Sequence, residues 1–182
     1  YIENMEKKYG RRSPVFKVRV LGEFVGAADG VITLESCEAA KVRDVAVIGS
    51  AKVIWGVDVA RFGDDSSALA KRKGNHQLEK VKEWYGKDTM QLVGLIKAEW
   101  DKTPKAERPV AINVDVIGIG AGVVDRLKEL ELPAVGINVA ESEAVNNKED
   151  RQFNRLRDEL WWKSREWLEA KDCKLCDDDD EL

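Results

Sequence analysis

The stretch that most restricts the fold is Lys52-Val-Ile-Trp-Gly-Val-Asp-Val-Ala60, followed at once by Arg61-Phe-Gly-Asp-Asp-Ser-Ser67. Val53, Trp55, Val57 and Val59 alternate at period two with Ile54, Gly56, Asp58 and Ala60, so both faces of the strand are largely apolar. A strand of that kind belongs near the middle of a sheet, covered on both sides. Asp58 is the exception. A lone carboxylate buried there costs on the order of several kcal/mol, so it either caps the turn that follows or binds a metal at the strand end. What the rest of the chain brings beside Asp58 decides between the two.

Before this strand, residues 1–9 read as the end of a helix stopped by Gly10, and 15–24 fit either a strand or a short helix. Residues 34–43 read as a short helix with Thr33 as its N-cap. After Asp58 a turn at 61–65 leads to a strand at 66–73, and Gly74-Asn75 reverses the chain into a third strand at 77–85. Asp88 can cap a helix running to Trp100, with Met90, Val93, Leu95 and Ile96 as its apolar positions. Residues 110–116 form the next buried strand, with Asp115 near its end, and Gly118-Ile-Gly-Ala-Gly122 opens a helix through Leu130. A short strand at 133–139 and a polar connection at 141–148 precede a long helix over 149–170. In that helix Phe153, Leu156, Leu160, Trp161, Trp167 and Leu168 recur at spacings of three, four and seven, which predicts a core-filling face.

The order is therefore β-β-β-α-β-α-β-α, an α/β fold with a mixed five-stranded sheet flanked by helices. Three antiparallel strands come first and αβ units follow. A right-handed crossover returns the fourth strand parallel to the first. If the two are neighbours, Asp58 and Asp115 end at the same edge of the sheet, where open α/β sheets gather their ligands. Two carboxylates a few ångströms apart repel, and a cation between them relieves the repulsion. An all-oxygen site suits Mg²⁺ or Mn²⁺ rather than zinc. A pair of such ions can activate a water and stabilise the leaving oxygen of a phosphodiester, the chemistry of the ribonuclease H-like fold, whose strand order this is.

Composition narrows the alternatives. A chain of 182 residues that is 43% hydrophobic can build a real core. The net charge of −4 includes five acids in the run from Asp177 to Glu181, so the remainder is close to neutral and composition alone does not declare a nucleic-acid binder. Local basic clusters remain at Lys7, Lys8, Arg11 and Arg12, and at Lys71, Arg72 and Lys73 beside the first hairpin; each also reads as ordinary solvated surface. No apolar run approaches the ~20 residues that cross a bilayer, and without a signal peptide the default setting is cytosolic. Cys173-Lys-Leu-Cys176 is a lone C-x-x-C with His76 far away in sequence, which reads as incidental thiols rather than zinc ligands.

Gly56-Val-Asp-Val-Ala-Arg-Phe-Gly-Asp-Asp-Ser-Ser67 resembles the first catalytic strand and turn of tailed-phage terminase large subunits. Asn113-Val-Asp-Val-Ile-Gly-Ile-Gly-Ala-Gly-Val-Val-Asp-Arg-Leu127 resembles their second acidic strand and the glycine-rich start of the next helix. Ser13-Pro-Val-Phe-Lys-Val-Arg-Val-Leu-Gly-Glu-Phe24 is similar to the segment joining their ATPase to the nuclease, and Leu160-Trp-Trp with Arg165-Glu-Trp-Leu168 to a later helix. The resemblance implies the C-terminal nuclease domain of a phage or prophage terminase, cutting concatemeric double-stranded DNA in the bacterial cytoplasm with two Mg²⁺ or Mn²⁺ ions. It implies Asp58 and Asp115 as catalytic, metal-binding acids. Asp65 either binds metal through water or caps its turn, and Asp125 reads as a helix surface charge. Lys71, Arg72 and Lys73 would supply DNA contacts.

The resemblance further implies that residues 1–49 lead in from an upstream ATPase domain and that 50–182 form the nuclease. The partners would be that ATPase, the terminase small subunit and the portal, with no membrane. No G-x-x-x-x-G-K-[ST] loop occurs in the chain, and the family's third acid falls in a helix past the region matching 173–182. Two rival readings follow. A prophage remnant could keep the fold as a DNA- or portal-binding module without cleavage. An actin-like ATPase or sugar-kinase domain shares the three-strand opening and places an aspartate and a Gly/Ser turn against nucleotide phosphates. The Gly118-x-Gly-x-Gly122 run lacks the third glycine spacing of a dinucleotide site and follows a meander rather than a βαβ unit.

Overall fold

The computed structural model describes residues 30–60, 65–141 and 153–177, together with Ile2 and Val20. Its elements are α1 (Leu34–Val42), β1 (Val53–Asp58), β2 (Ser66–Lys73), β3 (His76–Gln77), β4 (Lys82–Tyr85), α2 (Thr89–Lys102), β5 (Ala111–Asp115), α3 (Gly120–Glu129), β6 (Ala134–Ile137) and α4 (Leu156–Glu169). The sheet runs β3-β2-β1-β5-β6, with β4 also on β2. Strands β1 and β2 are antiparallel, whereas β5 lies between β1 and β6 and runs parallel to both. This is the mixed ribonuclease H-like order expected from the sequence, with β1 in the interior. Apart from Ile2 and Val20, the expected helix and linker readings at 1–9 and 15–24 lie outside the described residues.

The expected third strand is in two pieces, which brings the sheet to six strands. Arg72 pairs with Gln77 and Leu69 with Lys82, so one strand advances three residues while the other advances five. The two extra residues bulge out of the ladder. Lys71, at the bulge, reaches Glu79 across it at 2.7 Å.

The two faces of the sheet differ. Val53, Trp55 and Val57 of β1, Leu69 of β2 and Ile112 and Val114 of β5 point to one side, where α2 adds Leu92, Val93 and Ile96 and α3 adds Val123, Val124 and Leu127. Trp55 meets Trp100 edge-on at 6.3 Å. Helix α2 starts where Asp88 accepts from the Gln91 amide at 2.7 Å and Gln91 returns its side chain to the Asp88 amide at 3.1 Å, a reciprocal cap. Met90, expected among its buried positions, is exposed, and Leu92 is buried instead. The opposite face of the sheet carries Gly56, Asp58 and Ala70 in the open.

A satellite core joins the two ends of the described chain. Ala40, Leu168, Cys173 and Leu175 are buried together, with Cys37 and Trp167 against them. Thr33 caps α1 by accepting from the Ser36 amide. Arg43 donates to the Leu168 carbonyl at 3.0 Å and to the Cys173 sulfur at 3.4 Å, and Leu175 donates to the Ala40 carbonyl. Residues 30–49 are thus bonded to the body of the fold. His76, remote in sequence, forms a bridge with Lys174 inside the C-x-x-C segment.

Helix α4 corrects the expected helix over 149–170. Residues 149–152 lie outside the described residues, and the helix begins at Leu156. Its core face is also shorter than the spacing predicts. Leu168 is buried and Phe153, Leu156 and Trp167 half-buried, but Leu160 is 42% exposed and Trp161 55%. The C-terminal half fills the satellite core, while the N-terminal half leans over the open face of the sheet.

Candidate metal centre

Asp58 is the last residue of β1 and Asp115 the last of β5. Val57 lies opposite Val114 in the parallel register, so the two aspartates form the next step of the ladder, with backbones about 4.8 Å apart. Because Val57 and Val114 point into the core, alternation sends both carboxylates to the open face. They line one cleft of about 570 Å³, whose floor includes Gly56, Ala68, Ala70 and Asn113. Those small side chains leave the space empty; a Cβ on Gly56 would meet nothing within 4 Å. Leu156 and Leu160 of α4 form its wall.

The glycines after β5 hold Asp115 in place. Gly118 has φ +82°, a left-handed conformation that L side chains rarely adopt. The chain turns there and enters α3 directly beneath the strand end. A Cβ on Gly120 would lie 1.8 Å from the Asp115 carbonyl oxygen, so only glycine permits that approach. The Ile117 amide donates to Asp115 Oδ1 at 2.9 Å, fixing the carboxylate's orientation and leaving its other oxygen uncommitted. No lysine or arginine among the described residues pairs with Asp58 or Asp115.

Two oxygen-donor side chains of the same sign, side by side and uncompensated, fit a hard divalent cation. Among the described residues no group of three or more His, Cys, Asp or Glu could hold a metal ion. A two-carboxylate shell matches magnesium-type binding, in which waters and substrate phosphate complete the coordination.

The remaining sequence candidates separate. Asp65 is exposed immediately before β2 and is not among the residues lining the acid cleft. Asp125 is exposed on α3, in keeping with a surface charge. Lys71, expected as a DNA contact, is instead turned inward: it is 8% exposed, sits 4.6 Å over the Trp55 ring, and pairs with Glu79 and with Glu99 at 2.9 Å. Alternation after the buried Ser67 and Leu69 puts Lys71 on the core face, a signal already present in the sequence. Arg72 faces the open side and lies 5.7 Å over Trp167. Lys73 stands opposite Val53, at the far end of the sheet from the acids, beside a groove of about 900 Å³ that also carries Lys52, Lys105 and Arg108.

Glu99 binds Lys71 and Lys82 together. Burial alone would raise its pKa, but hydrogen bonds and charge from Lys82 and Lys71 outweigh burial and lower it from 4.5 to about 2. Nothing in the sequence singles out this network or Arg157, and Trp161, expected in the core, is exposed; Arg157 and Trp161 stand with Asp115 around a concavity continuous with the acid cleft.

Sequence comparison finds no matching family model and no matching curated protein. Solved structures do match. The nuclease domain of the large terminase subunit of bacterial virus Sf6 superposes with a TM-score of 0.61 at 16% identity, covering 81% of this chain and 74% of that one. The P22 large terminase nuclease domain matches at 0.51 and 11% identity, covering 79% and 70%. The large terminase nuclease of thermophilic phage G20c, with bound magnesium, matches at 0.51 and 13%, covering 76% and 64%. A variant of the Sf6 domain is solved with manganese and beta-thujaplicinol. The class of fold is ribonuclease H-like. Within it, this chain has the fold of the nuclease domains of phage large terminases.

Proposed function

We propose that this chain is the nuclease domain of a viral DNA-packaging terminase, a Mg²⁺- or Mn²⁺-dependent endodeoxyribonuclease that cuts concatemeric double-stranded DNA. One observation carries the reading: Asp58 and Asp115 close neighbouring parallel strands of this fold, face one cleft, and have no cation partner among the described residues. Two bound divalent ions would supply Lewis acidity and an activated water for phosphodiester hydrolysis. The chain's own contribution is to hold the acids. Asp58 and Asp115 present carboxylate oxygens from rigid strands, and Ile117 orients Asp115. Gly120 keeps the strand end against α3, and the apolar wall of α4 limits water on one side of the cleft.

The metals in the Sf6 and G20c structures support a divalent ion here. On this reading residues 1–49 lead in from the packaging ATPase and 50–182 belong to the nuclease, which works in the bacterial cytoplasm with the small subunit and portal. The two-carboxylate shell also favours a second reading, a DNA-binding module that does not cut. Incubation of supercoiled plasmid with the chain and Mn²⁺ separates the two. Nicking that a chelator abolishes and Asp58→Asn removes is the expected result. Plasmid that is bound but stays intact under Mn²⁺ would select the binding module.

A further inference from the structure

Resting on the nuclease reading, we propose that the first turns of α4 grip the DNA strand beside the scissile phosphate. In this arrangement Trp161 packs on a base or sugar and Arg157 holds a neighbouring phosphate. The placement comes first. Asp115, Val139, Arg157, Leu160, Trp161 and Ser164 surround one concavity of about 300 Å³. It shares Asp115, Val139 and Leu160 with the acid cleft, so whatever lies across the acids continues along α4.

The helix is fixed there by its backbone. Its first amides would otherwise lack partners. Leu156 donates to the Glu141 carbonyl at 2.9 Å and Arg157 to the Val139 carbonyl at 3.0 Å, which ties the start of α4 to the exit of β6. The wall therefore stands at a set distance from Asp115.

Two side chains on this wall, Trp161 and Arg157, lack among the described residues the partners that their neighbours on α4 have. Trp162 donates to Glu166, lies 6.3 Å from Phe153 and has Arg165 over its ring. Trp167 has Arg72. Trp161, more than half exposed, has no ring, cation or acceptor partner among the described residues. Lys163 is taken by Glu159 and Arg165 by Glu169, whereas Arg157 has no carboxylate partner among the described residues. A guanidinium with no carboxylate partner among the described residues, beside Asp115 and with an exposed indole one helical turn on, matches a nucleic acid strand. Arginine forks onto phosphate, and aromatic rings stack on bases without regard to sequence. Two carboxylates repel a phosphate, so the phosphate needs such a cation close by as well as the metal.

The test is anisotropy of a short fluorescein-labelled duplex without metal, over a salt series, beside Mn²⁺-dependent plasmid cleavage. Trp161→Ala is expected to raise Kd roughly tenfold, with Trp161→Phe restoring most of the affinity. Arg157→Ala is expected to lower the slope of log K against log salt by about one, with Arg157→Lys restoring the slope. In cleavage the loss from Trp161→Ala is expected in KM, with kcat nearly unchanged. Wild-type affinity and salt slope in both alanine variants would overturn the proposal, as would an affinity loss that tracks a change in oligomeric state. Cleavage by wild type with unaffected variants would refute this inference alone; a wild-type chain that neither binds nor cuts duplex would refute the nuclease reading with it.

Discussion

The two faces of the sheet handle charge in opposite ways. On the helix-covered face Lys71 is nearly buried, yet Glu79, Glu99 and the Trp55 ring surround it, and Lys82 and Lys102 complete the network around Glu99. On the open face two carboxylates share a cleft with no cation among the described residues. A charge network that serves the fold is closed on itself, because a buried unpaired ion costs several kcal/mol, on the order of 3–5 when one partner is removed. A like-charge pair left open is stable only because water reaches it, and it is ready for a cation from outside. Breaking each arrangement should give opposite signatures.

The largest effect is expected on activity. Asp58→Asn or Asp115→Asn should lower Mn²⁺-dependent nicking by roughly 100-fold or more, while urea unfolding of the metal-free chain shows unchanged or slightly higher stability. Glu99→Gln should do the reverse. It leaves Lys71 with Glu79 alone and should cost about 3 kcal/mol, a fall in Tm of about 6–12 °C for a chain of this size. Its metal binding should match wild type.

The pH dependence follows from the same network. Glu99 has a folded pKa lowered to about 2, so its contribution is present above its unfolded value near 4.5 and is lost as pH falls toward 2. That contribution is on the order of 3 kcal/mol. Denaturant midpoints measured between pH 5 and 2 should fall steeply for wild type and less steeply for Glu99→Gln.

Gly120→Ala joins the two faces. Its methyl would meet the Asp115 carbonyl, and the shift should cost about 1–3 kcal/mol and also weaken Mn²⁺ binding, a double effect that neither Asp58→Asn nor Glu99→Gln produces. The smallest effect on stability is expected at Trp161→Ala, within about 0.5 kcal/mol. Ile96→Ala or Ile112→Ala, at fully buried positions, should cost about 2–5 kcal/mol. Thermal melts of this set check the contrast.

Period-two alternation made β1 and β5 legible, and with them the two aspartates and their common edge, because parallel neighbours in this strand order leave little freedom of register. The Thr33 and Asp88 caps were legible for the same local reason: each acts within three residues. What escaped was long-range. The bulge between β3 and β4 has no turn signal; Lys71 and Glu79 pair across it. The spacing of Leu160, Trp161, Trp167 and Leu168 correctly marks a helix, but periodicity cannot say how far along the helix its neighbours extend. Here the covering core ends near Trp167, and the first turns meet the cleft instead. The charge of Lys71 suggests surface, whereas its place in the alternation after Ser67 and Leu69 puts it on the core face.

Calorimetric titration of Mn²⁺ shows whether the open acid pair is a divalent-cation site. Wild type is expected to bind with a measurable heat and to gain thermal stability with rising Mn²⁺. Asp58→Asn and Asp115→Asn are each expected to weaken binding by at least roughly tenfold. Equal Mn²⁺ affinity in wild type and both variants would mean that the acid pair does not hold the cation.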